Sequence, residues 1–123
     1  MNNVVVEGCT LEPVSPATGT VTVDENQASD EIFINDKGVY FKEIKFHVTG
    51  SNGGGSVTNN DGEGTGSIIA SGSNMLNSDG DITVLEGDVS AEVEINGTAG
   101  DDPASGLIVV KVTKAGQTDV SLT

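Results

Sequence analysis

The chain has no arginine and no tryptophan, a single cysteine, a single histidine and only four aromatic residues: Phe33, Phe41, Phe46 and Tyr40. Each scarcity excludes something. Five lysines against nineteen acidic residues give a formal charge of −14. Nucleic-acid phosphates and an anionic membrane surface both demand cationic side chains, so neither is expected as a partner. A lone Cys9 rules out an intrachain disulfide and reads as a small buried hydrophobe beside the first strand. No apolar run approaches the length of a membrane-spanning helix, so stable membrane insertion is not expected. The N-terminal "MNNVVVEG" has no basic residue and too short an apolar run for a signal peptide, which implies synthesis in the cytoplasm without one.

The same scarcities speak against catalysis. His47, the only histidine, has no nucleophile beside it in sequence from which a Ser-His-Asp or Cys-His site follows. Carboxylate pairs for glycoside hydrolysis are abundant, but the aromatic platforms that hold sugars are not. "SNGGGS" lacks the lysine and helix of a phosphate cradle. The expectation is a protein that is not an enzyme and needs no cofactor, with a metal ion as the open question.

What is present is strand chemistry. Valine, threonine and isoleucine dominate, and β-branched side chains suit a pleated surface. Seventeen glycines against three prolines indicate many turns. "NVVVEG" reads as a short strand, and "TVTVD" places Val21 and Val23 on one face. "EIFIN" and "GVYFKEIKFHVTG" read as two strands joined at Asp36-Lys37-Gly38, the second with Ile44, Phe46 and Val48 inward and Glu43, Lys45 and His47 outward. "VSAEVEING" places Val89, Ala91, Val93 and Ile95 on one face and Ser90, Glu92 and Glu94 on the other. "SNGGGSVTNNDGEGTG", residues 51–66, reads as a flexible loop, and "TAGDDPASG" as a second loop. No segment holds helical spacing for ten residues. The predicted architecture is all-β: one compact domain over residues 1–123, built from short strands and glycine-rich turns as a cone or a small sandwich. "DKGVYFKE" and "DGDITVLE" share an Asp, an aliphatic three residues on and a Glu four later, as if one turn-and-strand unit were used twice around a pseudo-symmetric core.

The densest polar stretch is "NSDGDITVLEGD". Read as a calcium loop it offers Asn77, Asp79 and Asp81 at positions one, three and five and Asp88 at twelve. It has Ile82 where glycine is required and no flanking helices. Asp79-Gly80 is more simply a hairpin turn. Asp79, Asp81 and Asp88 remain the candidate calcium ligands. "DGE" at 61–63 and Asp101-Asp102 read as solvated loop charge. His47 reads as a surface strand residue, with one sharper alternative: in a homotrimer three copies meet on the axis and ligate a metal.

"VVVEGCTL", "IFINDKGVYFKEIKFHVTG", "GSIIASGSNMLNSDGDITVLEGD" and "VTKAGQTDV" together resemble PAAR-like spike-tip proteins of phage tails and contractile injection systems. The resemblance implies a small β cone that caps a trimeric β-helical spike in a virion or extracellular injection particle. It also implies a metal near the point held by histidines and a cysteine. Cys9 and His47 are the only such residues here, so one chain cannot build that four-ligand site without carboxylates. The expected role is structural: a trimeric spike or other tail protein as partner, with an apolar face that includes "LIVVKV" as the candidate docking surface. Two other readings stand beside it, a calcium-dependent adhesin-like or carbohydrate-binding β module and a capsid-decorating virion protein.

Overall fold

Alternation of apolar and polar residues organises the described residues into eleven strands: β1 Asn2–Asn3, β2 Thr10–Pro13, β3 Thr18–Val23, β4 Phe33–Ile34, β5 Lys37–Gly38, β6 Glu43–Ser51, β7 Gly62–Ile69, β8 Val93–Ala99, β9 Asp102–Ile108, β10 Val110–Lys114 and β11 Ser121–Leu122. These come from a computed structural model that describes residues 2–53, 56–73, 75–76 and 80–122. There is no helix among the described residues, and all named strand pairs are antiparallel. The protein is an all-β single domain, as the composition predicts, and the sheets among the described residues do not close into a barrel.

The largest sheet has the order β3-β6-β7-β8-β9. Its spine is β6, where Ile44, Phe46 and Val48 are buried and Lys45, His47 and Thr49 are exposed, the alternation read from the sequence. Bridges from Ile68 to Ser90 and from Val89 to Lys111 carry the pairing on to β10, which pairs with β2.

At the centre lies a closed ring of three extended segments, residues 4–6, 39–41 and 83–85. Val5 N donates to Val84 O (2.9 Å), Val84 N to Tyr40 O (3.2 Å), and Tyr40 N to Val5 O (3.1 Å). Antiparallel bridges pair the first residue of each segment with the last of another: Val4 with Leu85, Val39 with Val6, Thr83 with Phe41. The pattern is cyclic and threefold. Neighbouring side chains of an extended segment point to opposite sides, so the ring divides the apolar residues in two. The middle residues Val5, Tyr40 and Val84 join the main core around Ile44, Phe46, Ile68, Ile95 and Val110. The flanking Val4, Val6, Val39 and Leu85 form a second cluster with Ile34, against which Ile32, Phe41, Leu76, Val120 and Leu122 pack.

Each segment leaves the ring through a residue of positive φ: Gly8 (89°), Lys42 (68°) and Gly87 (97°). The exits after the first and third are alike. Cys9 N donates to Val6 O (3.1 Å) and Asp88 N to Leu85 O (3.0 Å). Glu7 and Glu86 precede those glycines and accept from Gly38 N and Ala115 N, each at 2.9 Å. Buried Gln117 ties the C-terminal segment to the ring, donating through Nε2 to Val4 O (2.8 Å) and Val120 O (2.9 Å) and accepting at Oε1 from the backbone of Asp119 and Val120.

Several sequence expectations are corrected here. The turn between β4 and β5 is Asn35-Asp36, with φ of 54° and 65°, rather than Asp36-Lys37-Gly38. Two positive-φ central residues match the twist of a tight hairpin. The "GVYFKEIKFHVTG" run is split at Lys42 between the ring and β6. The 51–66 loop is shorter than expected, because Ser51 ends β6 and Gly62 to Gly66 begin β7. What remains is anchored by buried Val57, whose carbonyl accepts from Ser51 Oγ (2.7 Å) and whose N–H donates to Asn52 Oδ1 (3.0 Å). "TAGDDPASG" is a hairpin between β8 and β9, not a loop. In "VSAEVEING" the inward phase holds only for Val93 and Ile95. Val89 is 52% exposed, while Ser90 is buried and accepts from Val110 N (2.9 Å).

Candidate functional site

The outer face of the large sheet is a polar lattice fixed by strand register. One row runs Thr22, His47, Thr65, and another Thr20, Thr49, Glu63, Asn96, Ser105. His47 stands outward on β6, and its Nδ1 lies 2.5 Å from Asp24 Oδ1. A carboxylate on one ring nitrogen fixes the imidazole and leaves Nε2 as the outward ligand atom. One chain supplies one such ligand, and Cys9 does not join it. Cys9 packs against the main core, where burial pushes its thiol up to about 11. A thiol held protonated there is an inert core residue rather than a nucleophile.

Asp81 and Asp88 do not converge. Asp81 pairs with Lys42 at 3.8 Å. Asp88 holds the ring exit, accepting from Leu85 N (2.9 Å) on one oxygen and from Ser71 Oγ (2.5 Å) on the other. Asp79 lies outside the described residues. Among the described residues no three His, Cys, Asp or Glu side chains are grouped as metal ligands. Asp61 is held below the ordinary carboxylate range by hydrogen bonds from Thr98 Oγ1 (2.5 Å) and Thr98 N (2.9 Å), so it pins the residues that lead into β7 to the β8–β9 hairpin.

The sequence reading of a docking face in "LIVVKV" is corrected as well. Ile108, Val110 and Val112 are core residues, and Leu107 is the exposed large hydrophobe of that run. The exposed large hydrophobics among the described residues are spread over the surface, at Val14, Phe33, Ile69, Met75, Ile82, Val89 and Leu107, and three of them are chain neighbours of ring or second-cluster residues. Phe33 (52% exposed) sits between Ile32 and Ile34, Met75 (78%) precedes Leu76, and Ile82 (37%) precedes Thr83 of the ring.

The site that the sequence reading missed is a cavity of about 520 Å³ between the 24–30 turn and the ring. Glu7, Asp24, Glu25 and Asp30 line it together with Phe33 and Tyr40. Tyr40 is only 7% exposed. Burial, then the nearby Cys9 and Glu7, push that hydroxyl up to about 12. The available signal was the acid density of "DENQASDE" directly after a strand.

No family model matches the chain, and comparison with curated proteins and with solved structures gave no significant match. No helix among the described residues is long and apolar enough to cross a membrane.

Proposed function

We propose that the protein is a non-enzymatic structural component of a phage tail or contractile injection particle, a PAAR-like piece seated at the spike tip on a trimeric partner. The observation that supports this reading is the ring. Three segments of one chain exchange backbone hydrogen bonds cyclically around a single axis. A single polypeptide that meets a homotrimer end-on faces three identical surfaces, and a threefold internal arrangement can present similar surface to each. In this reading the docking end is the one built on the second cluster, where Phe33 and Met75, chain neighbours of its members, are exposed, since large exposed apolar side chains beside a compact core mark interaction surfaces. The acidic remainder keeps the particle surface soluble. The scattered carboxylates favour this over a calcium-dependent module.

Native mass spectrometry of the complex purified from the producing cell checks the proposal. The expected species holds one copy of this chain to three copies of one partner. Recovery as a monomer, or in a 1:1 complex, would overturn it.

A further inference from the structure

We propose that the open edge of β9, residues 103–107, receives an extended segment of a partner protein as an added strand, one in which apolar residues alternate with lysine or arginine. This is separate from the spike-tip reading, whose docking end lies on the second cluster.

The edge follows from register. Thr98 sits opposite Pro103, yet its backbone bonds on the other side: Thr98 N donates to Asp61 Oδ1 (2.9 Å) and Thr98 O accepts from Asn59 N (3.1 Å). Antiparallel pairs alternate between bonded and unbonded. The pairs Asn96–Ser105 and Glu94–Leu107 are therefore unbonded as well, and Pro103, Ser105 and Leu107 direct their backbone groups away from β8. β9 is the last strand of its sheet, and among the described residues no other backbone donor or acceptor reaches those groups. Two residues on, the same edge is occupied, since Val14 N donates to Val109 O (2.8 Å). The β2–β10 register, with Val110 opposite Pro13, would set Pro16 opposite Leu107, and proline has no N–H to give. The chain then leaves for β3, which pairs with β6. The ladder stops there and the edge stays open.

A groove of about 330 Å³ lies where the ladder stops. Val14, Pro16, Ala17 and Leu107 line it, and Glu92 is its one charged residue. Val14 and Leu107 are both exposed large hydrophobes. Edges that stay in solvent are normally blunted by charge or proline. Here Asp102 and Pro103 guard only the turn end, and the groove end is apolar. Unpaired backbone groups supply affinity in strand addition, and a pocket beside them selects side chains.

Charge decides the occupant. No lysine occurs between Lys45 and Lys111, so β7, β8 and β9 carry acids alone. Glu92 lies in the groove, Glu94 opposite Leu107, and Asp101 and Asp102 at the turn. A second copy paired antiparallel about Ser105 would bring its Asp101 and Asp102 toward Glu92, between two chains of formal charge −14. A strand that carries cations is attracted by the same field.

The test is a titration of the ¹⁵N-labelled full chain by NMR with a blocked Lys-Val-Lys-Val-Lys-Val-Lys peptide. Saturable shifts are expected at the amides of Ser105 and Leu107, with slower hydrogen exchange at both. Affinity should fall as salt is raised. Ser105→Pro removes an outward N–H and leaves the β8 ladder in place, so it should weaken binding at least about fivefold. Leu107→Ser should weaken it about threefold through lost apolar contact. Leu107 is exposed, so its variant keeps the fold even if the proline variant does not. The proposal is overturned if the peptide gives no saturable shifts or if neither variant weakens binding. It is equally overturned if a peptide with glutamate in place of lysine binds as tightly, or if methylating the three central backbone nitrogens of the peptide leaves its affinity unchanged. Dimerisation of the chain alone, abolished by Ser105→Pro, would assign the edge to a second copy and overturn it too.

Discussion

Thr83 is the one polar member of the ring's flanking positions, where the other segments place Val4 and Val39. It is fully buried, and its Oγ1 has no hydrogen-bond partner among the described residues. An unpaired buried hydroxyl costs stability, and replacing it with a methyl group of similar shape removes that cost. Thr83→Val should therefore stabilise the fold by about 1 kcal/mol, seen as a higher urea midpoint at unchanged m-value. A lower midpoint would mean that Oγ1 has a partner. At this scale the sequence was legible where strand alternation governs: His47 outward, Ile44, Phe46 and Val48 inward. It was not legible for Thr83 or Tyr40, whose environment depends on segments more than thirty residues away in the chain.

Two of the elements misread from sequence, β7 and the β8–β9 hairpin, share one cause, which β7 makes plain. "GEGTGS" has the composition of a loop, yet Gly62, Gly64 and Gly66 alternate with Glu63, Thr65 and Ser67, the period of a strand. The glycines fall where another strand or a large side chain comes close. A Cβ on Gly64 would come 2.3 Å from the Glu94 carbonyl oxygen, and one on Gly66 would come 2.6 Å from Val93 Cγ2. Glycine marks close approach here rather than freedom. Gly64→Ala should cost about 1–3 kcal/mol through overpacking against backbone, read as a lower midpoint in chemical denaturation. A neutral effect would show that β7 and β8 can separate without penalty. The 98–106 segment was misread for the same compositional reason, since Asp101, Asp102 and Pro103 resemble a loop until their pairing with β8 is known.

For the molecule as a whole, the symmetry was not legible in its register. Aligning "DKGVYFKE" with "DGDITVLE" sets Val39 against Ile82, whereas the ring gives Val39 the place of Thr83, one residue out of step, and "VVVEG" supplies the third segment. Three residues per segment are too few to stand out, and the intervals between copies are unequal. Because all three segments are buried and mutually bonded, none can open alone. The amides of Val5, Tyr40 and Val84 should exchange with solvent only through global unfolding, whereas those at the open edge of β9 should exchange by local opening. Hydrogen exchange resolved by residue checks this. Ring amides that exchange at loop-like rates would show that the segments are not one cooperative unit.

Strand β1 pairs with β11, placing Asn2 opposite Leu122 and Asn3 opposite Ser121. Asn2 and Leu122 therefore lie side by side, over the cluster that Val120 and Leu122 help to close. Chain attached before Asn2 and chain attached after Leu122 would both leave the domain from the same pole.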